Sequence, residues 1–109
     1  MSENNLKIED ADLKKHLLAT GERLGLRDVD MAALLGVNKS YYFYIAKNPA
    51  PLGKYVRSKV IKLLTFLAHI IETKPGFKLE RGYTEPSQEY RHRRKKVVAA
   101  LKSKLLAYL

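Results

Sequence analysis

Apolar residues recur along most of the chain at the three- and four-residue spacing of amphipathic helices. This spacing predicts five helices, which cover residues 10–25, 28–35, 39–48, 54–73 and 85–109. Glycine and proline fall mainly between these segments, where they favour turns and helix ends. We therefore expect an all-α fold, a compact helical domain that ends in a long, basic, amphipathic C-terminal helix.

Two segments do not follow the helical pattern. Residues 1–9 show no period and are predicted to form a flexible tail, after which Asp10 or Asp12 is expected to cap the first helix. Residues 77–83 alternate weakly between apolar and polar, which hints at extended chain but is too short a signal for a sheet.

The chain is strongly basic, and its charge is unevenly distributed. It contains 21 Lys and Arg residues against 11 Asp and Glu residues, a formal net charge of +10. Residues 1–36 hold five basic and seven acidic side chains, whereas residues 37–109 hold sixteen and four. A polyanion is the expected partner, contacted mainly by the part of the chain after residue 36.

The composition also argues against several classes of function. Without cysteine there is no disulfide, no thiolate nucleophile and no cysteine-based zinc site. His16, His69 and His92 lie on three different predicted helices, so we expect no metal. No nucleophile with a base, paired carboxylate site or phosphate-binding glycine loop is recognisable, and we predict no enzymatic activity and no cofactor.

The most apolar stretch, residues 60–71, is shorter than the roughly 20 residues that span a bilayer, and it contains Lys62 and His69. It is interpreted as a buried helix, so no membrane partner is predicted. The polar, acidic N-terminus does not resemble a signal peptide, and a cytoplasmic location is expected.

The most informative segment is residues 28–47, with the sequence DVDMAALLGVNKSYYFYIAK. Ala32 is small enough for a second helix to cross closely, and Gly36 can adopt the positive φ that reverses the chain. The segment resembles the helix-turn-helix of lambda-repressor-like (Cro/CI, XRE-type) regulators. In that family, apolar residues at the positions of Met31, Leu35, Val37 and Ile45 lock the two helices together.

The resemblance implies that the second helix of this motif lies in the major groove of duplex DNA. By position, Lys39, Ser40 and Tyr44 are then the expected base contacts. Tyr42 departs from the family, which places a compact branched apolar residue there. Contacts to phosphate are expected from three places: the flank of this helix, the start of the next helix and the basic run of the last helix. The residues are Tyr41 and Lys47 on the first, Lys54 and Arg57 on the second, and Arg91, Arg93, Arg94, Lys95 and Lys96 on the third. For the charged residues, a solvated helix face is the alternative interpretation.

The last helix carries an apolar stripe that is too long to remain exposed. It is predicted to form a homodimer interface, since helix-turn-helix proteins commonly read two half-sites through two-fold symmetry. Packing on the chain's own core and contact with DNA are the alternatives. The stripe consists of Val97, Val98, Leu101, Leu105 and Tyr108.

The predicted organisation is a tail at residues 1–9, a helix-turn-helix domain at residues 10–73, and a loop with the C-terminal helix at residues 74–109. The predicted function is sequence-specific binding of double-stranded DNA by a transcriptional regulator, a repressor of phage, plasmid or mobile-element type. No small-molecule ligand is predicted. The alternatives are a less specific nucleic-acid-binding accessory protein, including an RNA binder, and an antitoxin-like or adaptor module that binds protein. A basic helix on an anionic membrane surface is a further alternative.

Overall fold

The computed structural model of the protein describes residues 9–108, which form five α-helices. They are α1 (Asp10–Leu24), α2 (Asp28–Leu35), α3 (Lys39–Lys47), α4 (Lys54–Thr73) and α5 (Ser87–Ala107). The described residues contain no strand, which confirms the all-α prediction. The predicted tail lies outside the described residues except for Glu9, the residue that precedes α1.

Local chemistry explains how α2 and α3 are joined. Gly36 adopts a φ of 76°, and its N–H donates to the carbonyl of Ala33 at 3.1 Å. Only glycine takes this left-handed conformation at little cost, so the helix ends here. The side chain of Asn38 accepts the backbone N–H of Tyr41 at 2.7 Å and thereby caps α3. Two short helices are thus separated by a three-residue turn.

The core lies where these helices meet. Helix α1 packs against α3 and α4, and α2 packs against α3, α4 and α5. Burying large apolar side chains supplies most of the driving force for such a fold. The largest fully buried side chains are Leu13, Leu17, Leu24, Met31, Tyr42, Val60, Leu63 and Leu67.

Helix α5 completes the core of its own chain. Val98, Leu101 and Leu105 are buried in it, and Val97 and Tyr108 are partly buried against it. The ring of Tyr108 meets the ring of Phe66 on α4 edge to face, with 5.4 Å between their centroids. The five residues predicted to form a dimer interface therefore pack on the core of their own chain, three of them buried and two partly buried, because α2 and α4 offer them an apolar surface. This arrangement is the alternative in which α5 packs on its own core.

Residues 74–86 connect α4 and α5 without helix or strand. Leu79 anchors this connection: its side chain is buried, and its N–H donates to the carbonyl of Leu24 at 2.8 Å. Gly25 has a φ of 72°, and a Cβ added there would lie 2.0 Å from the carbonyl oxygen of Leu79. Glycine is therefore needed at this position both for its backbone conformation and for the close approach of the connection.

The first turns of α1 hold the segment between α3 and α4, residues 48–53, which we name the α3–α4 loop. The Nζ of Lys14 donates to the carbonyls of Asn48 and Ala50, the latter at 2.6 Å. Asp10 accepts the N–H of Leu52 at 2.8 Å and forms an ion pair with Arg57. The prediction that Asp10 or Asp12 caps α1 is wrong, since Glu9 occupies the N-cap position and Asp10 is used for this long-range contact.

Candidate nucleic-acid interface

Helix α3 has two sharply different faces. Tyr42, Ile45 and Ala46 are buried in the core. Lys39 and Ser40 are exposed at the N-terminal end of the opposite face, and Tyr44 is 51% exposed one turn further along. The three residues predicted to contact bases are therefore all accessible, and the buried residues on the opposite face of α3 hold the helix against the core.

Aromatic rings cover much of this exposed face. Tyr41 and Tyr44 are nearly parallel, with 6.3 Å between ring centroids and 11° between ring planes. Phe43 is 51% exposed, and the Nζ of Lys47 lies 4.5 Å from its ring centroid. A face that combines exposed rings with ammonium groups can contact both bases and phosphates. We name the outward-facing set Lys39, Ser40, Tyr41, Phe43, Tyr44 and Lys47 the α3 face.

The start of α4 adds a second, smaller patch of the same kind. Lys54 is exposed, and Tyr55 is 74% exposed with the Nζ of Lys59 5.3 Å from its ring centroid. Arg57 differs, because its guanidinium is paired with Asp10 and only 23% of its side chain is accessible. Of the two phosphate contacts predicted on α4, Lys54 is therefore available, whereas Arg57 stabilises the fold.

Tyr42, the position that departs from the resembled family, belongs to the core. Its side chain is 1% exposed. Burial, together with the negative charge of Asp28, raises the pKa of Tyr42 to about 12, because both disfavour the phenolate. The residue therefore stays neutral at ordinary pH and supports α3 from inside.

The basic run of α5 is divided by its hydrogen bonds. Arg91, Lys95 and Lys96 are exposed to solvent. Arg93 is also exposed, but it makes a two-point contact with Glu85, from Nε to Oε2 at 2.9 Å and from Nη2 to Oε1 at 2.7 Å. This contact, followed by the hydrogen bond from the Gly82 N–H, lowers the pKa of Glu85 to about 2. Arg93 thus ties α5 to the preceding connection.

Arg94 is drawn further into the protein. Its Nε lies 3.4 Å from Oδ1 of Asp30, and the two side chains are 11% and 8% exposed. The other carboxylate oxygen of Asp30 accepts the N–H of Arg27 at 2.9 Å, at the start of α2. Arg94 therefore links α5 to α2, and its charge is largely met inside the fold.

The sequence contained a signal for the inward position of Arg94. It lies at helical spacing on the stripe of Tyr90, Val98, Leu101 and Leu105, all of which are buried. Reading the run as a block of charge missed this spacing. A second signal, an aromatic residue followed four positions later by lysine, would have pointed to the Phe43–Lys47 and Tyr55–Lys59 pairs.

No family model, curated protein or solved structure matches this chain. Residues 9–108 contain no group of three or more His, Asp or Glu side chains that could hold a metal ion. None of the five helices combines the length and the apolar character needed to cross a membrane.

Proposed function

We propose that the protein binds duplex DNA by placing the α3 face in the major groove, and that it acts in the cytoplasm as a transcriptional regulator of the repressor type. The observation that carries the proposal is the division of α3: Lys39, Ser40 and Tyr44 point outward, and the opposite face is held in the core. The major groove is about 12 Å wide and admits one α-helix. A helix fixed from behind can present the same side chains to successive base edges.

The remaining free charges would then position the protein on the DNA backbone. Lys47 and Lys54 lie on either side of the α3–α4 loop, and both are exposed. Contacts of this kind raise affinity for every sequence, whereas contacts from Lys39 and Ser40 would discriminate between bases. Arg91, Lys95 and Lys96 add exposed positive charge from α5.

Binding as a homodimer is part of this proposal, but it requires a surface other than the stripe on α5. Val98, Leu101 and Leu105 are buried within one chain, so pairing through them would expose the core of each copy. The mass of the protein in solution, measured alone and with DNA, tests whether two copies bind together.

The experiment that tests the proposal is a fluorescence-anisotropy titration of random-sequence duplex over a range of salt concentrations. Several phosphate contacts would give a steep fall of affinity with salt, with a slope of roughly one for each phosphate neutralised. A selection for preferred sequences would follow. Absence of duplex binding at low salt would overturn the proposal, and absence of single-strand binding as well would favour a protein partner.

A second candidate function is binding of single-stranded nucleic acid. The observation that favours it is the amount of exposed ring surface: Tyr41, Phe43, Tyr44 and Tyr55 are all at least 44% exposed. Unpaired bases stack on such rings with about 1–3 kcal/mol each. The same titration with single-stranded oligonucleotides separates the two candidates, because a major-groove reader prefers duplex.

A further inference from the structure

Four arginine side chains from three separate parts of the chain line one cavity of about 300 Å³. Arg27 precedes α2, Arg81 belongs to the connection between α4 and α5, and Arg91 and Arg94 lie on α5. We name this the arginine pocket. Its volume is at the lower end of the roughly 300–1,000 Å³ that is typical of ligand sites.

Negative charge around the arginine pocket does not match its positive charge. Glu80 is the one carboxylate among its lining residues, and it lies 4.0 Å from the Nζ of Lys78. Within residues 9–108, no carboxylate lies within ion-pair distance of Arg27 or Arg91. Like charges brought together in this way repel each other unless an anion accompanies them.

Contacts within the protein nevertheless position three of the four guanidinium groups, those of Arg27, Arg81 and Arg94. Tyr90 forms part of the pocket wall, and the guanidinium carbons of Arg27 and Arg94 each lie 6.0 Å from its ring centroid. Arg81 donates from Nε to the carbonyl of Glu85 at 2.7 Å, which orients its remaining N–H groups. A cation near an aromatic ring is stabilised by the negative face of the ring.

The hydrogen bonding of Arg94 is incomplete. Its Nε is buried and has no hydrogen-bond partner among the described residues, although Asp30 lies at ion-pair distance. Buried N–H groups are usually satisfied, and an unsatisfied one costs about 1–3 kcal/mol. Arg94 also lines the arginine pocket, and Asp30 alone does not complete the hydrogen bonding of its guanidinium.

We propose that the arginine pocket binds a phosphate-bearing anion. Planar guanidinium groups donate paired hydrogen bonds that match the oxygen geometry of phosphate better than lysine does. Two sources share this chemistry: a phosphate of a nucleic-acid strand and a free phosphorylated small molecule. The inference goes beyond the DNA-binding proposal and does not depend on it, because the pocket can be tested without nucleic acid.

The test is isothermal titration calorimetry with inorganic pyrophosphate at low salt. The wild-type chain is expected to bind one pyrophosphate per chain. The double variant Arg27→Gln/Arg91→Gln should bind about tenfold more weakly or worse, because two charge-assisted contacts are lost. Both side chains are exposed, and a circular dichroism melt checks that the variant remains folded.

The matched control is Lys95→Gln/Lys96→Gln, which removes the same charge from exposed positions of α5 outside the pocket. It should change pyrophosphate affinity by less than about twofold, since neither lysine lines the pocket and neither donates directly to an anion bound there. The single variant Arg91→Gln, which leaves the start of α2 intact, should show part of the loss. No saturable binding by the wild-type chain, or equal weakening in the control, would overturn the site.

A second titration identifies the source of the phosphate. If pyrophosphate displaces a duplex that lacks terminal phosphates, and Arg27→Gln/Arg91→Gln weakens duplex binding, the pocket holds a strand phosphate. If the duplex is unaffected by both changes, the pocket serves a free phosphorylated molecule. Both results support an anion site, and neither depends on α3, so failure of the DNA-binding proposal remains distinguishable from failure of this one.

Discussion

The α3 face and the basic run of α5 both contribute positive charge, yet the structure uses them differently. On α3, Lys39 and Lys47 are exposed. On α5, Arg93 is engaged by Glu85 and Arg94 by Asp30. The α3 face keeps its charge available to a partner, whereas the basic run of α5 uses two of its three arginines to attach a helix to the fold.

The difference shows that charge in a sequence does not by itself locate a binding surface. Arg94, which lies at helical spacing with buried apolar residues, is drawn into the structure, where the carboxylate of Asp30 offsets its desolvation. Lysines on the face opposite the core stay in water because nothing buries them. The functional prediction for each cation therefore depends on its position around the helix.

The largest expected effect comes from breaking the buried pair that attaches α5. Asp30→Ala leaves the Arg94 guanidinium without its carboxylate and removes the acceptor for the Arg27 N–H. We expect the free energy of unfolding to fall by about 3 kcal/mol, measured by urea denaturation. Asp12→Ala, an exposed position in the first turn of α1, is the control. A loss below about 0.5 kcal/mol, as for ordinary surface substitutions, would show that the pair does not support the fold.

The next effect concerns the α3 face. Lys39→Ala/Lys47→Ala should weaken duplex binding by about tenfold or more, because two exposed cations at the groove are lost. Its stability should be nearly unchanged, since both side chains are in solvent. Lys15→Ala/Lys74→Ala removes the same charge from α1 and the end of α4. Duplex affinity is measured by fluorescence anisotropy. Equal weakening by both double variants would mean that the lysines of the α3 face act only through general electrostatic attraction to DNA.

A smaller effect is expected on the salt dependence of duplex binding, and it should differ between two neighbouring cations of α5. Lys95→Ala is expected to lower the salt slope of duplex binding by about one, as for the loss of one phosphate contact. Arg93→Ala should change the slope by less than half of that, because its charge is already met by Glu85. Equal slopes in the two variants would mean that the Arg93–Glu85 pair opens when DNA binds.

The smallest expected effect is a pH dependence of stability. The folded-state pKa of Glu85 is lowered from 4.5 to about 2, mainly by Arg93. Its stabilising contribution is therefore complete above the ordinary pKa and is lost as pH falls toward the folded value. The difference in unfolding midpoint between the wild-type chain and Glu85→Gln should shrink over this interval. A difference that is constant with pH would exclude ionisation of Glu85 as its cause.

The helices were predictable because their limits depend on local chemistry. Gly36 ends α2 through its positive φ, and the prolines of the α3–α4 loop prevent α3 from continuing. The exposed face of α3 was predictable for the same reason, because the spacing of the apolar positions indicates which face is buried. Both conclusions need only residues that are close in the sequence.

The partners of the charged residues were not predictable in this way. Asp30 and Arg94 lie on different helices, and Lys14 reaches carbonyls of a loop that follows two further helices. These contacts depend on how the helices pack, which no local pattern specifies. The arginine pocket was missed for that reason, since its side chains come from three segments.

The hydrogen bonds between α1 and the α3–α4 loop have a consequence for the kinetics of recognition. Lys14 and Asp10 tie the loop at Asn48, Ala50 and Leu52, so the spacing between the end of α3 and the start of α4 is set during folding. A partner then meets a surface that is already ordered, and little conformational entropy is lost on contact. Removing these hydrogen bonds would slow the association of the protein with its partner, although every side chain that touches the partner would still be present.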